Sequence, residues 1–216
     1  MKPGVVALLL LVGPALSAHR TGQTDTDRWI RGKPFEARFA WTDFRKSGNE
    51  AGSSRAGGGA IHRDSMGRLR LEPDGETRPD SATVFDPVAE EFWRLDLRRK
   101  RVTQRGRSSD SFLIIEITFG DQTYFCPPPE WTDRDPEDQS IGQRVIEGLT
   151  CDGFRREEAD RRIEYWVSSD LHQVVSEKIT SDFSDCTYTV YDIHRQEPDP
   201  LLFVVPAGYT DISDAK

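Results

Sequence analysis

Apolar and polar residues alternate with a period of two through most of this chain, and short polar turns separate the alternating runs. In residues 35–44, FEARFAWTDF, one side of an extended segment carries Phe35, Ala37, Phe39 and Trp41, and the other carries Glu36, Arg38 and Thr42. Such alternation with aromatic residues is typical of a half-buried strand. Beyond the N-terminal apolar run we find no sustained helical period, so the sequence predicts a mainly β protein.

The many one-sided strands also predict the shape of the sheet. Without helices to cover it, a sheet buries its apolar side most economically by bending around on itself. We therefore expect a strongly curved antiparallel sheet with few short helices, which the sequence places at 26–31 and 199–203. Residues 112–119, FLIIEITF, are the most apolar run after the N-terminus and predict a buried central strand.

The N-terminus has the three parts of a secretory signal peptide, namely Lys2, an apolar run over 5–16 and the small residues Ala15, Ser17 and Ala18. The run is shorter than the roughly 20 residues that span a bilayer. We predict cleavage after position 17 or 18 and an exported protein, periplasmic or extracellular, that does not span the membrane after cleavage. The predicted organisation is a signal peptide at 1–18, a flexible leader at 19–28, a single curved β domain at 29–212 with an acidic proline-rich loop at 127–140, and a tail at 213–216.

Charge narrows the range of partners. The formal net charge is −8, and removal of Lys2 with the signal peptide makes it −9. Nucleic acids and anionic membrane surfaces attract basic proteins, so neither is an expected partner. Basic residues between 94 and 107 fit a solvated hairpin.

Three cysteines in an exported chain predict one disulfide and one remaining thiol. The predicted strand positions put Cys151 and Cys186 at opposite ends of their strands, which favours a disulfide between Cys126 and Cys151. An alternative is that all three remain reduced and buried.

The sequence contains no recognisable catalytic centre. The HExxH, CxxC and GxSxG patterns are absent. Cys186 and His194 are eight residues apart on one strand, roughly 26 Å at about 3.3 Å per residue, too far to share a metal ion. We therefore predict no catalytic, cofactor-binding or metal-binding residues and no cofactor.

Several segments resemble a family of uncharacterised exported bacterial proteins. They are RVIEGLTCDGFRRE (144–157), EYWVSSDLHQVV (164–175), DIHRQEPDPLLFVVPAGY (192–209), HRDSMGRLRLE (62–72) and VFDPVAEEFWRLDL (84–97). That family is more distantly similar to the half-barrel carriers that sort lipoproteins (LolA-like, LppX-like). The resemblance implies a curved antiparallel sheet around a hydrophobic cavity.

Three functions remain open. The first is a binding or carrier module for an apolar ligand or a lipidated partner. The second is a protein-interaction or sensor module of the cell envelope without a ligand cavity, which would use the 127–140 loop. The third and least favoured is an exported hydrolase in which Cys, His and carboxylate groups converge. For the first, the expected apolar lining is Phe39, Trp41, Trp93, Ile115, Ile117 and Tyr165, and the expected plug is Leu201, Leu202 and Phe203.

Overall fold

The computed structural model describes residues 32–46, 52–74, 81–89, 91–107, 115–119, 122–126 and 138–213, with 115–119 and 122–126 described by their backbone alone. The predicted signal peptide, leader, helix at 26–31 and most of the 127–140 loop lie outside these residues. Within them, no helix is both long and apolar enough to cross a membrane.

The described chain is built from strands joined mainly by tight turns. The predicted strand at 35–44 is present as Phe35–Arg45, and the predicted helix near 199–203 is present as one 3₁₀ turn, Pro200–Phe203. The strands are β1 (Phe35–Arg45), β2 (Ser53–Arg63), β3 (Leu69–Asp74), β4 (Ser81–Asp86), β5 (Glu91–Asp96), β6 (Arg101–Arg107), β7 (Ile115–Phe119), β8 (Gln122–Cys126), β9 (Gln139–Ile146), β10 (Leu149–Glu157), β11 (Arg161–Ser168), β12 (Gln173–Ser181), β13 (Ser184–His194) and β14 (Thr210–Asp211).

Twelve of the described strands form one open sheet in the order β14-β6-β5-β4-β3-β2-β1-β13-β12-β11-β10-β9. All neighbours are antiparallel except β14, which runs parallel to β6. At the centre of the sheet, β1 from the N-terminal half of the chain pairs with β13 from the C-terminal half over most of its length. The sheet is open because β14 and β9 each have one neighbour in it.

The sheet is strongly curved. Phe35, Phe39 and Val190 are fully buried at its centre, although no helix of the described chain covers them. The turn between β9 and β10 also reaches β13, three strands away, where the backbone N–H of Asp192 donates to Glu147 at 3.2 Å. Because a flat sheet would neither enclose its centre nor bring these strands together, the predicted curved antiparallel half-barrel is confirmed.

The closing segment after β13 crosses the outer side of the sheet. Asp199 caps the 3₁₀ turn by accepting a hydrogen bond from the backbone N–H of Leu201. Phe203 is buried there with residues of β4, β5 and β6, namely Ala82, Val84, Trp93, Leu95 and Val102. Arg70 donates to the carbonyl of Leu202 at 2.7 Å, which ties the segment to β3.

The prediction that 112–119 forms a central strand is wrong in its pairing. The strand exists as β7, but it pairs with β8 in a separate two-stranded sheet. An apolar run predicts that a strand is buried, whereas its neighbours are chosen by register and turn geometry, which the run does not encode.

Aromatic rings of the sheet lie across from glycines. In each case the ring occupies the space that a Cβ on the opposite residue would need, so the rings can fold over the neighbouring strand. The directly paired residues are Phe39 with Gly59, Trp41 with Gly57, Phe92 with Gly106, and Trp166 with Gly153.

We expect Gly59→Ala to lower the free energy of unfolding by about 1–3 kcal/mol, because overpacking forces neighbours to move. A Cβ at this position would lie 2.7 Å from the Phe39 ring and against the backbone oxygen of Glu72. Urea denaturation measures the change, with Ser54→Ala on the exposed end of the same strand as the control, expected within about 0.5 kcal/mol of wild type. Equal stabilities for the two variants would contradict this packing.

Candidate functional site

A row of aromatic side chains crosses five neighbouring strands on the concave side of the sheet. Successive cross-strand partners in this row are Trp41, Tyr188, Glu177, Tyr165 and Phe154. Directly opposite residues of antiparallel strands project to the same side, with Cβ atoms about 5 Å apart. We call these five residues the aromatic row; its central member is a carboxyl group.

Ring contacts and hydrogen bonds hold the two tyrosines that flank Glu177 in the aromatic row. The rings of Tyr188 and Phe39 stack with centroids 6.0 Å apart, and those of Tyr165 and Phe154 lie 5.4 Å apart. The hydroxyl of Tyr165 donates to Asp138. Asp138 in turn forms an ion pair with Arg156 at 2.8 Å. The ring of Tyr165 is therefore held in place, and its hydroxyl hydrogen is already donated within the protein.

Glu177 is unusual because it has neither a hydrogen bond nor an ion pair with any described residue. Burial raises the pKa of its carboxyl to about 7, and the nearby charge of Arg161 opposes that rise only in part. The side chain nevertheless keeps partial exposure. An unpartnered carboxyl among rings is the chemical feature that distinguishes this part of the sheet.

A second polar group is the pair Asp43 and Cys186, which lies two residues along β1 and β13 from Trp41 and Tyr188. The thiol of Cys186 donates to Asp43 at 3.3 Å, and Asp43 is fully buried and pairs with Arg45 at 3.6 Å. Burial, followed by the Asp43 carboxylate, raises the pKa of Cys186 to about 11. Cys186 is therefore protonated at neutral pH and poorly nucleophilic.

The described histidines that contact carboxylates do so away from the cysteines. His62 lies 3.2 Å from Glu36 and His194 lies 3.0 Å from Asp192. Cys151 is buried and donates to the carbonyl of Leu149. Among the described residues no hydrogen bond joins a cysteine to a histidine, and no group of three metal-binding side chains occurs.

The other end of the concave side is closed by the turn between β11 and β12. Leu171 inserts from this turn into the central apolar cluster. Its carbonyl accepts a hydrogen bond from Arg63, which is fully buried, stacks over the Phe35 ring at 4.7 Å and donates to the carbonyl of Lys33 at 3.0 Å. Burial lowers the pKa of Arg63 to about 10, so it remains charged at neutral pH.

The predicted lining residues fall on different parts of the sheet. Phe39, Trp41 and Tyr165 share the concave side, because Tyr165 belongs to the same aromatic row as Trp41. Trp93 lies on the outer side, under the closing segment. Ile115 and Ile117 are in β7, whose side chains are outside the described structure, so their part in a lining remains a prediction.

The predicted plug lies against the outer side of the sheet. Phe203 is buried and Leu202 is half-buried there, whereas Leu201 is 70% exposed. Cys151 and Cys186 are both free thiols. The side chain of Cys126 is not described, and the structure does not show the predicted disulfide between Cys126 and Cys151.

No family model matches the chain, and a comparison with curated proteins finds no match. Solved structures with a similar fold include a LolA superfamily protein from Nitrosomonas europaea, at 9% identity over 83% of this chain and 94% of the other, with a TM-score of 0.41. An outer membrane lipoprotein-sorting protein domain from Vibrio parahaemolyticus is similar at 11% identity over 83% and 92%, with a TM-score of 0.36. The MucA/MucB complex of Pseudomonas aeruginosa is similar at 12% identity over 85% of this chain, which spans 59% of that chain, with a TM-score of 0.43. The expected resemblance to LolA-like proteins is therefore found, and it extends to fold alone.

We expect the wild-type protein to lose stability relative to Glu177→Gln as the pH rises from 4.5 to about 7. The folded-state pKa of Glu177 lies above its unfolded value of 4.5, so its contribution is fully present below pH 4.5 and is lost as the carboxyl ionises in the fold. The difference should reach about 1–3 kcal/mol at pH 8. Urea denaturation of both proteins at pH 5 and pH 8 measures this difference in the free energy of unfolding, and Glu157→Gln at an exposed position is the control. Parallel pH profiles for wild type and Glu177→Gln would contradict the burial of this carboxyl.

Proposed function

We propose that the protein is an exported binding module that holds an apolar ligand, or the acyl chains of a lipidated partner, against the concave side of its sheet. Export rests on the predicted signal peptide at 1–18, and the site would lie in the periplasm or outside the cell. The observation that carries the proposal is the partial exposure of apolar side chains around the closed centre of the sheet. These side chains are Phe92, Phe154, Tyr188 and Ile193.

Such side chains suit an acyl chain better than a polar ligand. Rings and aliphatic groups gain from losing water, whichever way a flexible hydrocarbon lies across them. Among the described residues of this side, Asp43 and Asp138 are already bonded within the protein. A ligand recognised mainly by hydrogen bonds would therefore find few free partners.

A second function is favoured by a different surface. Leu201, Val204 and Val205 remain exposed on the closing segment although their neighbour Phe203 is buried. Exposed apolar residues that lie together are typical of protein interaction sites. Under this alternative the protein contacts another envelope protein through the closing segment or the 127–140 loop. Loss of capture in a pull-down after Leu201→Asp, or after deletion of 127–137, would support it.

We expect Tyr188→Ala to weaken the binding of dodecyl maltoside about tenfold, because the variant removes a ring from the centre of the concave side. Tyr191→Ala is the matched control, since Tyr191 lies on the same strand, pairs with Arg38 and projects to the outer side. Isothermal titration below the micelle concentration measures both affinities. Equal losses in the two variants would contradict a concave binding site.

Chain length and retained ligands give independent tests. Each added methylene that leaves water contributes about 0.8 kcal/mol, so affinity should rise about three- to fourfold per carbon between octyl and dodecyl maltoside. Native mass spectrometry of protein purified from its own host should show a retained apolar ligand or lipidated partner. No binding at any chain length, together with no retained mass, would overturn the proposed function.

A further inference from the structure

We propose that Glu177 and the rings beside it bind a quaternary ammonium head group carried by an apolar ligand. This inference rests on the proposed function and names the chemistry of the ligand's polar end. It follows from two observations that occur at the same place, an unpartnered carboxyl and aromatic residues on both sides of it.

The geometry of the aromatic row is that of a cation site. Tyr188 and Tyr165 are the direct cross-strand neighbours of Glu177, and Trp41 and Phe154 are the next residues in the row. The faces of Trp, Tyr and Phe rings attract cations, and the attraction grows when the site excludes water. A carboxylate at the centre of the row adds a full negative charge to these ring faces.

The hydrogen-bonding capacity of the row distinguishes between kinds of cation. A primary ammonium brings three N–H donors, each of which needs an acceptor when it is buried. The row surrounds its one carboxylate with ring faces, which are weak acceptors for such donors, and the Tyr165 hydroxyl already donates its hydrogen to Asp138. A quaternary ammonium has no N–H group and loses little by entering among rings.

The surrounding charges leave Glu177 as the carboxyl that a ligand can neutralise. Asp43 is held by Arg45 and the Cys186 thiol, and Asp138 is held by Arg156 and Tyr165. Arg161, at the start of β11, acts on Glu177 through space but forms no ion pair with it. An anionic head group would instead face repulsion from ionised Glu177.

A titration with three dodecyl amphiphiles tests the inference on the full chain without its signal peptide. We expect dodecyltrimethylammonium to bind about tenfold tighter than dodecyl maltoside at pH 8, and dodecanoate to bind more weakly than the maltoside. Because the pKa of Glu177 is about 7, its ionised fraction rises about tenfold between pH 6 and pH 8. Affinity for the cation should rise by the same factor, while affinity for the maltoside stays constant.

Glu177→Gln should remove both the preference for the cation over the maltoside and its pH dependence. Glu157→Gln makes the same change of charge at an exposed position and should keep the preference, which separates the site from the general acidity of the protein. Tyr188→Leu should weaken binding of the cation more than binding of the maltoside, because it keeps apolar volume and removes the ring face.

The outcomes separate this inference from the proposed function. If all three amphiphiles bind with similar affinity, or if Glu177→Gln keeps the preference for the cation, the inference is wrong and the apolar site stands. If none of the three binds to a protein that circular dichroism shows to be folded, the proposed function fails as well.

Discussion

The central constraint on this fold is that one open sheet has to bury apolar residues on both of its sides with almost no helix to help. The concave side is covered by the curvature of the sheet itself, which encloses Phe35, Phe39 and Val190. Within the described part of the chain, the outer side is covered over β4–β6, where Phe203 of the closing segment packs on Trp93. At the centre the outer side is polar, as in the hydrogen bond between Thr42 and Thr187, and needs no cover.

The pairing of rings with glycines makes the curvature compatible with large side chains. A half-barrel narrows towards its inner side, so inward residues have less room than they would on a flat sheet. Gly57 and Gly59 face Trp41 and Phe39, and the rings lie where side chains would otherwise stand. The run Gly57–Gly59, which weakens an isolated strand, is thus the complement of the aromatic run in β1.

Local patterns predicted most strands and the closing turn, because period-two alternation and the Pro-Asp-Pro sequence act within a few residues. The side of the sheet on which a residue lies depends on its register with distant strands, which local patterns do not encode. The predicted lining therefore combines Trp93 with Trp41, although the two lie on opposite sides of the sheet. Glu177 had a readable signal, since it alternates with Val175 and Ile179 at the apolar positions of its strand. Leu171 had none, because it lies within a polar turn and is buried only through contacts with distant strands.

Two groups of opposite charge on the concave side, Arg63 and Glu177, have different surroundings. Arg63 is the cross-strand partner of Phe35 at one end of β1. At roughly 3.3 Å per residue, this end lies about 20 Å along the strand from Trp41 of the aromatic row. The Arg63 guanidinium donates to the backbone carbonyls of Lys33 and Leu171, which close that end of the sheet. Glu177 holds nothing in place and keeps partial exposure. A buried charge that ties elements together can be explained by the fold alone. A half-buried charge without a partner instead carries a desolvation cost that the fold does not recover, and a ligand of opposite charge would offset that cost.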